Sequence, residues 1–361
     1  MTEIDVRATP QAVTPDWLTA VLRRAGVLRS ARVTDFTWMA VGAGLLGDSI
    51  RFDLRYDRDE GAPASVVGKF ASSDPVSRAT GIDFSLYLTE VRFYQEIAAT
   101  VAIRAPACHF AAIDEASGDF VVILEDMGPA RQGNQLAGCS IADAEQAMIQ
   151  GAALHGPRWK DPTLVSIDWL TSRGAGRHLI VDGMPGFIAE FHRRYDGILE
   201  PEYMAVADRY AANCTHFLDL EYNSPTLAHV DFRLDNMLFD ARSGTVPLVV
   251  LDWQSISISA GMLDISYFLG AGISVADRRA SERDLLGLYH DELRRHGVRD
   301  YGWDELWHDY RTTAFQGVST AIFASAATKR TERGDAMFLA MARGACAQVI
   351  DSDGFAALLG D

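Results

Sequence analysis

The segment from Leu227 to Asp252 constrains the fold of this chain more than any other part of its sequence. Its first half reads LAHVDFRLDNMLF, in which a histidine is followed by an aspartate two positions later and by an asparagine five positions after that. A turn containing Gly244 separates this half from an apolar run, VPLVVL, that ends at Asp252. Two short apolar runs around a turn predict an antiparallel hairpin, whose open end brings Asn236 next to Asp252.

The open end of this predicted hairpin collects oxygen ligands. Asn236 offers a carbonyl oxygen and Asp252 a carboxylate, and Asp231 can direct a second carboxylate at the same place. Hard oxygen donors of this kind suit Mg²⁺, which keeps several waters and also binds substrate phosphates. The alternative is that these residues are Asx caps of a surface turn. The order of the histidine, the aspartate, the asparagine and the strand-end aspartate favours the metal site.

A glycine-rich loop lies between two predicted strands near the N-terminus. Residues 42–47 read GAGLLG, a G-x-G-x-x-G spacing that dinucleotide-binding oxidoreductases also use, but those require a helix directly after the loop. Residues 50–56 instead alternate apolar and charged side chains, as a half-exposed strand does. The loop therefore predicts a hairpin tip whose backbone approaches nucleotide phosphates, with a plain turn as the alternative. The candidate phosphate-binding residues are Gly42, Gly44, Gly47 and Ser49.

Lys69 is one of only three lysines in the chain, against 30 arginines, and it lies in an apolar predicted strand. It could be an edge residue whose ammonium reaches solvent. If it is buried, it needs a carboxylate partner, because an unpaired charge in the interior is costly. Glu90 shares a helical face with apolar residues, whereas Glu96 follows Arg92 by four positions and is typical of a solvent-exposed pair. We expect Lys69 to pair with Glu90.

Secondary-structure patterns divide the chain near residue 127. We expect an α+β fold with two lobes, of which residues 1–127 form a small N-terminal lobe with an antiparallel sheet and one key helix. Residues 128–361 form a larger, mainly α-helical lobe. Residues 72–83 are predicted to be a loop, and His155 is predicted to cap the C-terminus of a helix. The predicted strands are 36–41, 50–56, 66–71 and 120–124, and the key helix is 84–99.

Charge and cysteine content exclude several classes of protein. The formal net charge is −16, and no basic patch offers a surface to nucleic acid or to an anionic membrane. No apolar run reaches the length needed to span a bilayer. Four widely spaced cysteines form no metal or disulfide framework, and free thiols fit a reducing compartment. We expect a cytoplasmic protein without a nucleic-acid or membrane partner, and the oligomeric state stays open.

The order of these motifs resembles that of protein kinases. The chain departs from that family in three respects: H-R-D is replaced by H-V-D, D-F-G by D-W-Q, and no A-P-E or activation segment follows. That variant resembles the aminoglycoside phosphotransferase and choline kinase group. The segments LEDM, HVDFRLDNMLF and LDWQ…GMLDISYFL are most similar to its bacterial ecdysteroid-kinase-like branch. The resemblance covers residues 36–270 through motifs.

The resemblance implies a role for each residue that matches a motif. Asp231 would be the catalytic carboxylate, which orients the acceptor hydroxyl and receives its proton. Asn236 and Asp252 would bind Mg²⁺, and Lys69, held by Glu90, would contact the phosphates of ATP.

Four further matches imply support for the nucleotide and for residues 229–236, which we name the 229–236 loop. The backbone at Glu125 and Met127 would hold adenine. His229 would be a scaffold residue rather than a base, and Asp264 would brace the loop.

These roles together imply an ATP- and Mg²⁺-dependent phosphotransferase, in which residues 1–127 would be the nucleotide-binding lobe and residues 128–361 the lobe for catalysis and acceptor binding. We expect a small-molecule kinase with a hydroxyl acceptor, because the missing activation segment is where a peptide substrate would dock. An aminoglycoside, a choline-like or sterol-like alcohol and a hydroxyacyl thioester all stay open as acceptors, as does the choice between ATP and GTP. The alternative function is that of a catalytically silent, nucleotide-binding regulator.

Overall fold

In a computed structural model, the contacts between residues divide the chain into two units. The structure describes residues 4–42, 46–171, 174–328 and 330–360 of the 361 in the sequence. The N-terminal unit comprises Met1–Thr100, Ala105–Pro129 and Leu251–Ser255, and the C-terminal unit comprises Val101–Arg104, Ala130–Val250 and Ile256–Asp361. The short segment around Asp252 therefore belongs to the N-terminal unit, although the hairpin before it belongs to the other.

The N-terminal unit is built on a five-stranded sheet. Its strands are β1 (Val33–Ala40), β2 (Gly47–Tyr56), β3 (Ser65–Ala71), β4 (Cys108–Asp114) and β5 (Asp119–Glu125). They lie in the order β1-β2-β3-β5-β4, and all neighbouring strands are antiparallel. The sequence patterns located four of these strands and missed β4, whose sequence CHFAAID has no regular alternation.

Three helices accompany this sheet. They are α1 (Pro15–Arg24), α2 (Pro75–Asp83) and α3 (Leu86–Arg92), and α3 continues as a π-helical turn over Phe93–Ile97. The helix predicted at 84–99 is thus present as α3 and its continuation. The loop predicted at 72–83 was wrong for most of its length: the Asp74 side chain accepts the N–H of Ser77, and Pro75 occupies the first helical position.

Alternation along the central strands assigns their side chains to two apolar cores. On β5, Val121 and Ile123 pack in the core that also contains α1, whereas Val122 packs with Tyr87 of α3 on the opposite face. On β3, Ala71 belongs to the α3 side. Successive side chains of a strand point to opposite faces, so Lys69, two positions before Ala71, faces α3 as well.

The C-terminal unit contains two small antiparallel sheets. Its strands are β6 (Arg131–Gln132), β7 (Pro225–Ala228), β8 (Met237–Ala241), β9 (Val246–Val250) and β10 (Ser257–Ala260). β6, β8 and β9 form one sheet and β7 and β10 the other. The predicted hairpin is present as β8 and β9, in which Met237 lies opposite Val250. Asn236 directly precedes the first of these residues, and Asp252 follows the second by two positions.

Helices make up most of the C-terminal unit. They are α4 (Ile141–His155), α5 (Asp168–Thr171), α6 (Gly174–Tyr195), α7 (Pro201–Leu218), α8 (Met262–Gly272), α9 (Val275–Arg295), α10 (Trp303–Thr313), α11 (Phe315–Ala327), α12 (Glu332–Asp351) and α13 (Gly354–Leu359). The main core lies among α6, α7, α8, α11, α12 and α13. Together with the antiparallel N-terminal sheet, this confirms the predicted α+β fold. None of the helices in the described part of the chain is long and apolar enough to cross a membrane.

One half-buried carboxylate of α10 makes the stability of the C-terminal unit depend on pH. Tyr301 Oη donates a hydrogen bond to Asp309 Oδ2 at 2.9 Å. Burial raises the pKa of Asp309 to about 6, although the hydrogen bond from Tyr301 by itself lowers this pKa. The folded state therefore binds more protons than the unfolded state, whose Asp pKa is about 3.9. Stability is lost as the pH rises between these two values.

We predict that Asp309→Asn increases the free energy of unfolding by roughly 1–2 kcal/mol at pH 8 and by much less at pH 4.5. The amide keeps an acceptor for Tyr301 and carries no buried charge. Urea denaturation at the two pH values measures the difference, with Asp284→Asn on the exposed surface of α9 as the control. An equal effect of Asp309→Asn at both pH values would contradict this account.

Candidate nucleotide and phosphoryl-transfer site

Three charged residues from distant parts of the sequence meet in the N-terminal unit. Lys69 Nζ on β3 lies 2.7 Å from Glu90 Oε2 on α3 and 3.1 Å from Oδ1 of Asp252. The side chains of Lys69 and Glu90 are 11% and 1% exposed, whereas that of Asp252 is 34% exposed. The predicted pair of Lys69 and Glu90 is therefore present, and Lys69 is not a solvent-facing edge residue. Asp252 is a second partner that the sequence did not predict for this lysine.

The electrostatics of the cluster keep the lysine charged. Burial by itself would lower the pKa of the Lys69 ammonium, but the charges of Asp252 and Glu90 raise it above its ordinary value. Burial raises the pKa of the Glu90 carboxyl, against the charge of Lys69. Of the two carboxylates beside this cation, that of Asp252 is the more exposed. The cluster thus offers a fixed cation for an anion and a carboxylate for a metal ion.

The segment around Asp252 is held in an unusual conformation. Its φ is 64°, in the left-handed region that aspartate tolerates better than most side chains. The next residue, Trp253, is fully buried, and its ring stacks on Phe93 with 3.9 Å between centroids and 4° between planes. Phe93 begins the π-helical turn after α3. Stacking therefore fixes the segment of Asp252 against the helical segment that contains Glu90.

The glycine loop is described in part. Gly44 lies outside the described residues, and Gly42 is exposed with a φ of 77°. Gly47 begins β2, where a Cβ would lie 3.0 Å from a backbone oxygen of β3 and 3.4 Å from the Lys69 side chain. Ser49 lies directly opposite Lys69 in the pairing of β2 with β3. Glycine at position 47 thus lets the start of β2 approach the lysine closely.

The proposed adenine-binding backbone lies at the end of β5. The Glu125 N–H donates to the Ala107 oxygen at 2.8 Å, and Glu125 Oε2 accepts the Ala107 N–H at 3.0 Å. Two residues later, Met127 is buried, and Asp126 between them accepts a hydrogen bond from Ser65 Oγ at 2.6 Å. These contacts hold the segment in place. Its contact with adenine stays a prediction.

In the C-terminal unit, two side chains hold the carboxylate of Asp231. Asn236 Nδ2 donates to the backbone oxygen of Asp231 at 2.9 Å and to its Oδ2 at 2.8 Å. This orientation of the amide turns Asn236 Oδ1 away from Asp231. Arg233 Nε donates to both carboxylate oxygens of Asp231, at 2.9 and 3.1 Å. No sequence pattern singles out Arg233, because it is one arginine among 30.

Asp264 supports the start of the 229–236 loop. It is fully buried, and its oxygens accept the N–H groups of His229 at 2.6 Å and of Val230 at 2.7 Å. Val230 has a φ of 71°, a strained conformation for a β-branched residue. Two short hydrogen bonds to a buried carboxylate stabilise that strained turn directly before Asp231. These are the contacts that the implied bracing role of Asp264 requires.

The prediction that His155 caps a helix C-terminus was wrong. Its ring is fully buried, with Nδ1 2.9 Å from Tyr289 Oη and Nε2 3.2 Å from Asp264 Oδ2. Gly261 leaves room for the ring, since a Cβ at that position would lie 2.7 Å from it. Met148, Gly151 and Ala152, which lie seven, four and three positions earlier on α4, are buried. This helical spacing predicts that His155 lies on the same inner face. His155 therefore holds the carboxylate that supports the 229–236 loop.

Each unit contains an oxygen donor of the kind that Mg²⁺ binds. Within the described ranges, no group of three or more His, Cys, Asp and Glu side chains could hold a metal ion. Mg²⁺ does not need such a cage, because it binds to one or two protein oxygens, to water and to substrate phosphates. Asn236 Oδ1, turned away from Asp231, and the partly exposed carboxylate of Asp252 are donors of this kind.

A family model matches part of the chain. Residues 170–299, in the C-terminal unit and the segment around Asp252, match the model of the ecdysteroid kinase-like family. No curated protein shows significant sequence similarity to the chain.

Solved structures with the same fold extend the comparison to nearly the whole chain. A choline kinase from Cryptosporidium parvum Iowa II is 10% identical, with a TM-score of 0.55 and coverage of 95% of this chain and 96% of the other. A Plasmodium vivax ethanolamine kinase is 8% identical, with a TM-score of 0.51 and coverage of 86% and 82%. The GDP complex of aminoglycoside 2'-phosphotransferase-IIIa is 15% identical, with a TM-score of 0.50 and coverage of 92% and 97%.

These findings confirm the resemblance and the fold class. At such low identities the structural likeness shows a kinase-like fold, and the family match indicates a kinase-type phosphotransferase. The roles of the individual residues stay predictions.

We predict that Glu90→Gln lowers the free energy of unfolding by roughly 2–4 kcal/mol, because it removes one charged partner of a buried ammonium. The matched control is Glu96→Gln, which lies on the same helical segment and breaks an exposed pair with Arg92. That variant should change stability by less than about 0.5 kcal/mol. Urea denaturation measures both. Equal effects of the two variants would contradict the structural importance of the buried pair.

Proposed function

We propose that this chain is an ATP- and Mg²⁺-dependent phosphotransferase that moves the γ-phosphate of ATP to a hydroxyl group of a small molecule. The observation that best supports this function is the ammonium of Lys69, held between Glu90 and Asp252. Phosphoryl transfer depends mainly on positioning and on neutralising the charge of the phosphates. A fixed cation can position the phosphates and neutralise their charge, and the partly exposed carboxylate beside it can bind a metal ion.

The N-terminal unit would bind the nucleotide. Lys69 would contact the phosphate oxygens, and Glu90 keeps the ammonium directed inward. The glycine loop would cover the phosphates with backbone N–H groups, because its residues present few side chains. The backbone of Glu125 and Met127 would hold the adenine ring. These contacts bind the part of ATP that does not react.

Asn236 and Asp252 would hold Mg²⁺. When bound, the ion neutralises the negative charge of the phosphates and so favours attack by an oxygen nucleophile. The amide of Asn236 is held by Asp231 in the orientation that leaves Oδ1 to act as a ligand. The contact with Lys69 in turn limits the rotation of the Asp252 carboxylate.

Asp231 would orient the acceptor. Its carboxylate accepts a hydrogen bond from the acceptor hydroxyl, whose oxygen then forms a bond to the γ-phosphorus while the bond to the bridging oxygen of ADP breaks. The hydroxyl proton passes to Asp231 and then to solvent, and the products are a phosphate ester and ADP. Asn236 and Arg233 keep the carboxylate in one orientation throughout.

The acceptor would be a small molecule rather than a protein. The sequence has no segment between Asp252 and α8 that is long enough to dock a peptide, because only nine residues separate them. The similar folds described above include kinases of choline and ethanolamine, which are small hydroxylated amines. This similarity supports a small alcohol as the acceptor class.

The test follows label from γ-labelled MgATP into a pool of hydroxylated small molecules. We predict that wild type forms a labelled product and that Asp231→Asn forms it at least ~100-fold more slowly, because the amide cannot accept the proton. The matched control is Asp240→Asn, which changes an exposed aspartate on β8. It should transfer label at the wild-type rate.

Two outcomes would contradict the proposal. Equal transfer by wild type and Asp231→Asn would remove Asp231 from the reaction. Tight MgATP binding by wild type without transfer to any member of a broad pool would favour the silent regulator instead.

A further inference from the structure

We infer that Asp235 and Arg333 are positioning residues for Asp231, through a chain of ion pairs that runs from the surface to the carboxylate. The order of the chain is Arg333, Asp235, Arg233 and Asp231, and all four lie in the C-terminal unit. The inference rests on the proposed function, because it assigns a task to the surroundings of the proposed catalytic carboxylate.

The inner link is a bifurcated hydrogen bond from one N–H of Arg233. Arg233 Nε donates to Oδ1 of Asp231 at 2.9 Å and to Oδ2 at 3.1 Å, and the Arg233 side chain is only 17% exposed. A charge-assisted hydrogen bond that is shared between both oxygens favours one orientation of the carboxylate. Arg233 can fix Asp231, however, only if Arg233 is itself held in place.

Asp235 holds Arg233 from the other side. Its Oδ2 accepts Nη1 of Arg233 at 3.1 Å, and its Oδ1 accepts the backbone N–H of Gln135 at 3.0 Å. Gln135 is buried, and its side chain accepts the N–H of Leu234 at 3.0 Å and donates to the Ala271 oxygen. The segment between β6 and α4 thus anchors Asp235 to the end of α8. Asp235 is a rigid support for the guanidinium.

Arg333 closes the chain at the surface. Its Nη2 lies 3.2 Å from both carboxylate oxygens of Asp235, and its side chain is 56% exposed. Arg333 lies in the first turn of α12, where the helix dipole disfavours a positive charge. A carboxylate partner offsets that cost. Arg330 nearby is exposed to a similar degree, 52%, but pairs with Asp335 instead.

This series of ion pairs therefore connects the first turn of α12 to Asp231. Loss of Arg333 would leave Asp235 with fewer restraints, which would loosen Arg233 and broaden the orientations of Asp231. Small errors in the position of a reacting group reduce the rate strongly, because proximity contributes much of the catalysis. An exposed ion pair is weak, so the effect of Arg333 itself is modest and sensitive to salt.

The first test is kinetic and uses the transfer reaction. We predict that Arg333→Gln lowers kcat about threefold without changing KM for MgATP. Arg333→Lys should recover part of the loss, and Arg330→Gln should have no effect. Asp235→Asn should lower kcat about tenfold, and the double variant should be no slower than Asp235→Asn alone. Additive losses in the double variant would overturn the inference.

The second test does not depend on activity. The side-chain Nε–H signal of Arg233, identified by its loss in Arg233→Lys, can be followed by nitrogen-15 NMR. We expect its exchange with solvent to accelerate about threefold in Arg333→Gln and to stay unchanged in Arg330→Gln. Equal exchange in both variants would overturn the inference. Accelerated exchange in an enzyme that transfers no phosphate would support the ion-pair chain and reject only the proposed function.

Discussion

The buried ammonium of Lys69 organises the N-terminal unit, because it gathers a strand, a helix and a distant segment of the chain at one place. Asp252 is 183 residues from the lysine in sequence, yet its carboxylate lies 3.1 Å from the ammonium. Burying such charges brings little net stability, because desolvation offsets most of the attraction. The main consequence of the buried ion pairs is geometric, because they fix the positions of Lys69, Glu90 and Asp252 relative to one another. The stacking of Trp253 on Phe93 keeps the same two segments together through apolar contact.

In the C-terminal unit, the buried carboxylate of Asp264 fixes the start of the 229–236 loop. Asp264 accepts two backbone N–H groups of a turn that Val230 enters with a strained φ, and His155 holds the same carboxylate from behind. Strain of this kind persists only where the surroundings determine the conformation completely. The result is a loop in which Asp231 and Asn236 have fixed orientations before any substrate binds. Preorganisation of this sort is what an electrostatically driven reaction requires.

The sequence predicted those parts of the site whose residues stand out from their background. Lys69 was recognisable because lysine is rare here, and Glu90 because its helical face is apolar. The β8–β9 hairpin followed from two apolar runs and a turn. Arg233 lies two positions from both of its carboxylate partners, but a single arginine among 30 does not stand out. Gln135 could not be found from the sequence either, because its partners Asp235, Leu234 and Ala271 are distant in the sequence and only the folded chain brings them near. His155 was misassigned for a similar reason: its place at the end of α4 suggested a cap, whereas tertiary packing buried its ring.

The most direct test of the metal and nucleotide site uses Mn²⁺ in place of Mg²⁺, with a non-hydrolysable ATP analogue, and measures bound metal by electron paramagnetic resonance. The account predicts that wild type binds Mn²⁺ together with the nucleotide and that Asn236→Ala and Asp252→Ala each weaken this binding at least ~10-fold. Asp240→Asn should bind as wild type does. If both alanine variants bind Mn²⁺ and nucleotide as tightly as wild type does, Asn236 and Asp252 are not the metal ligands.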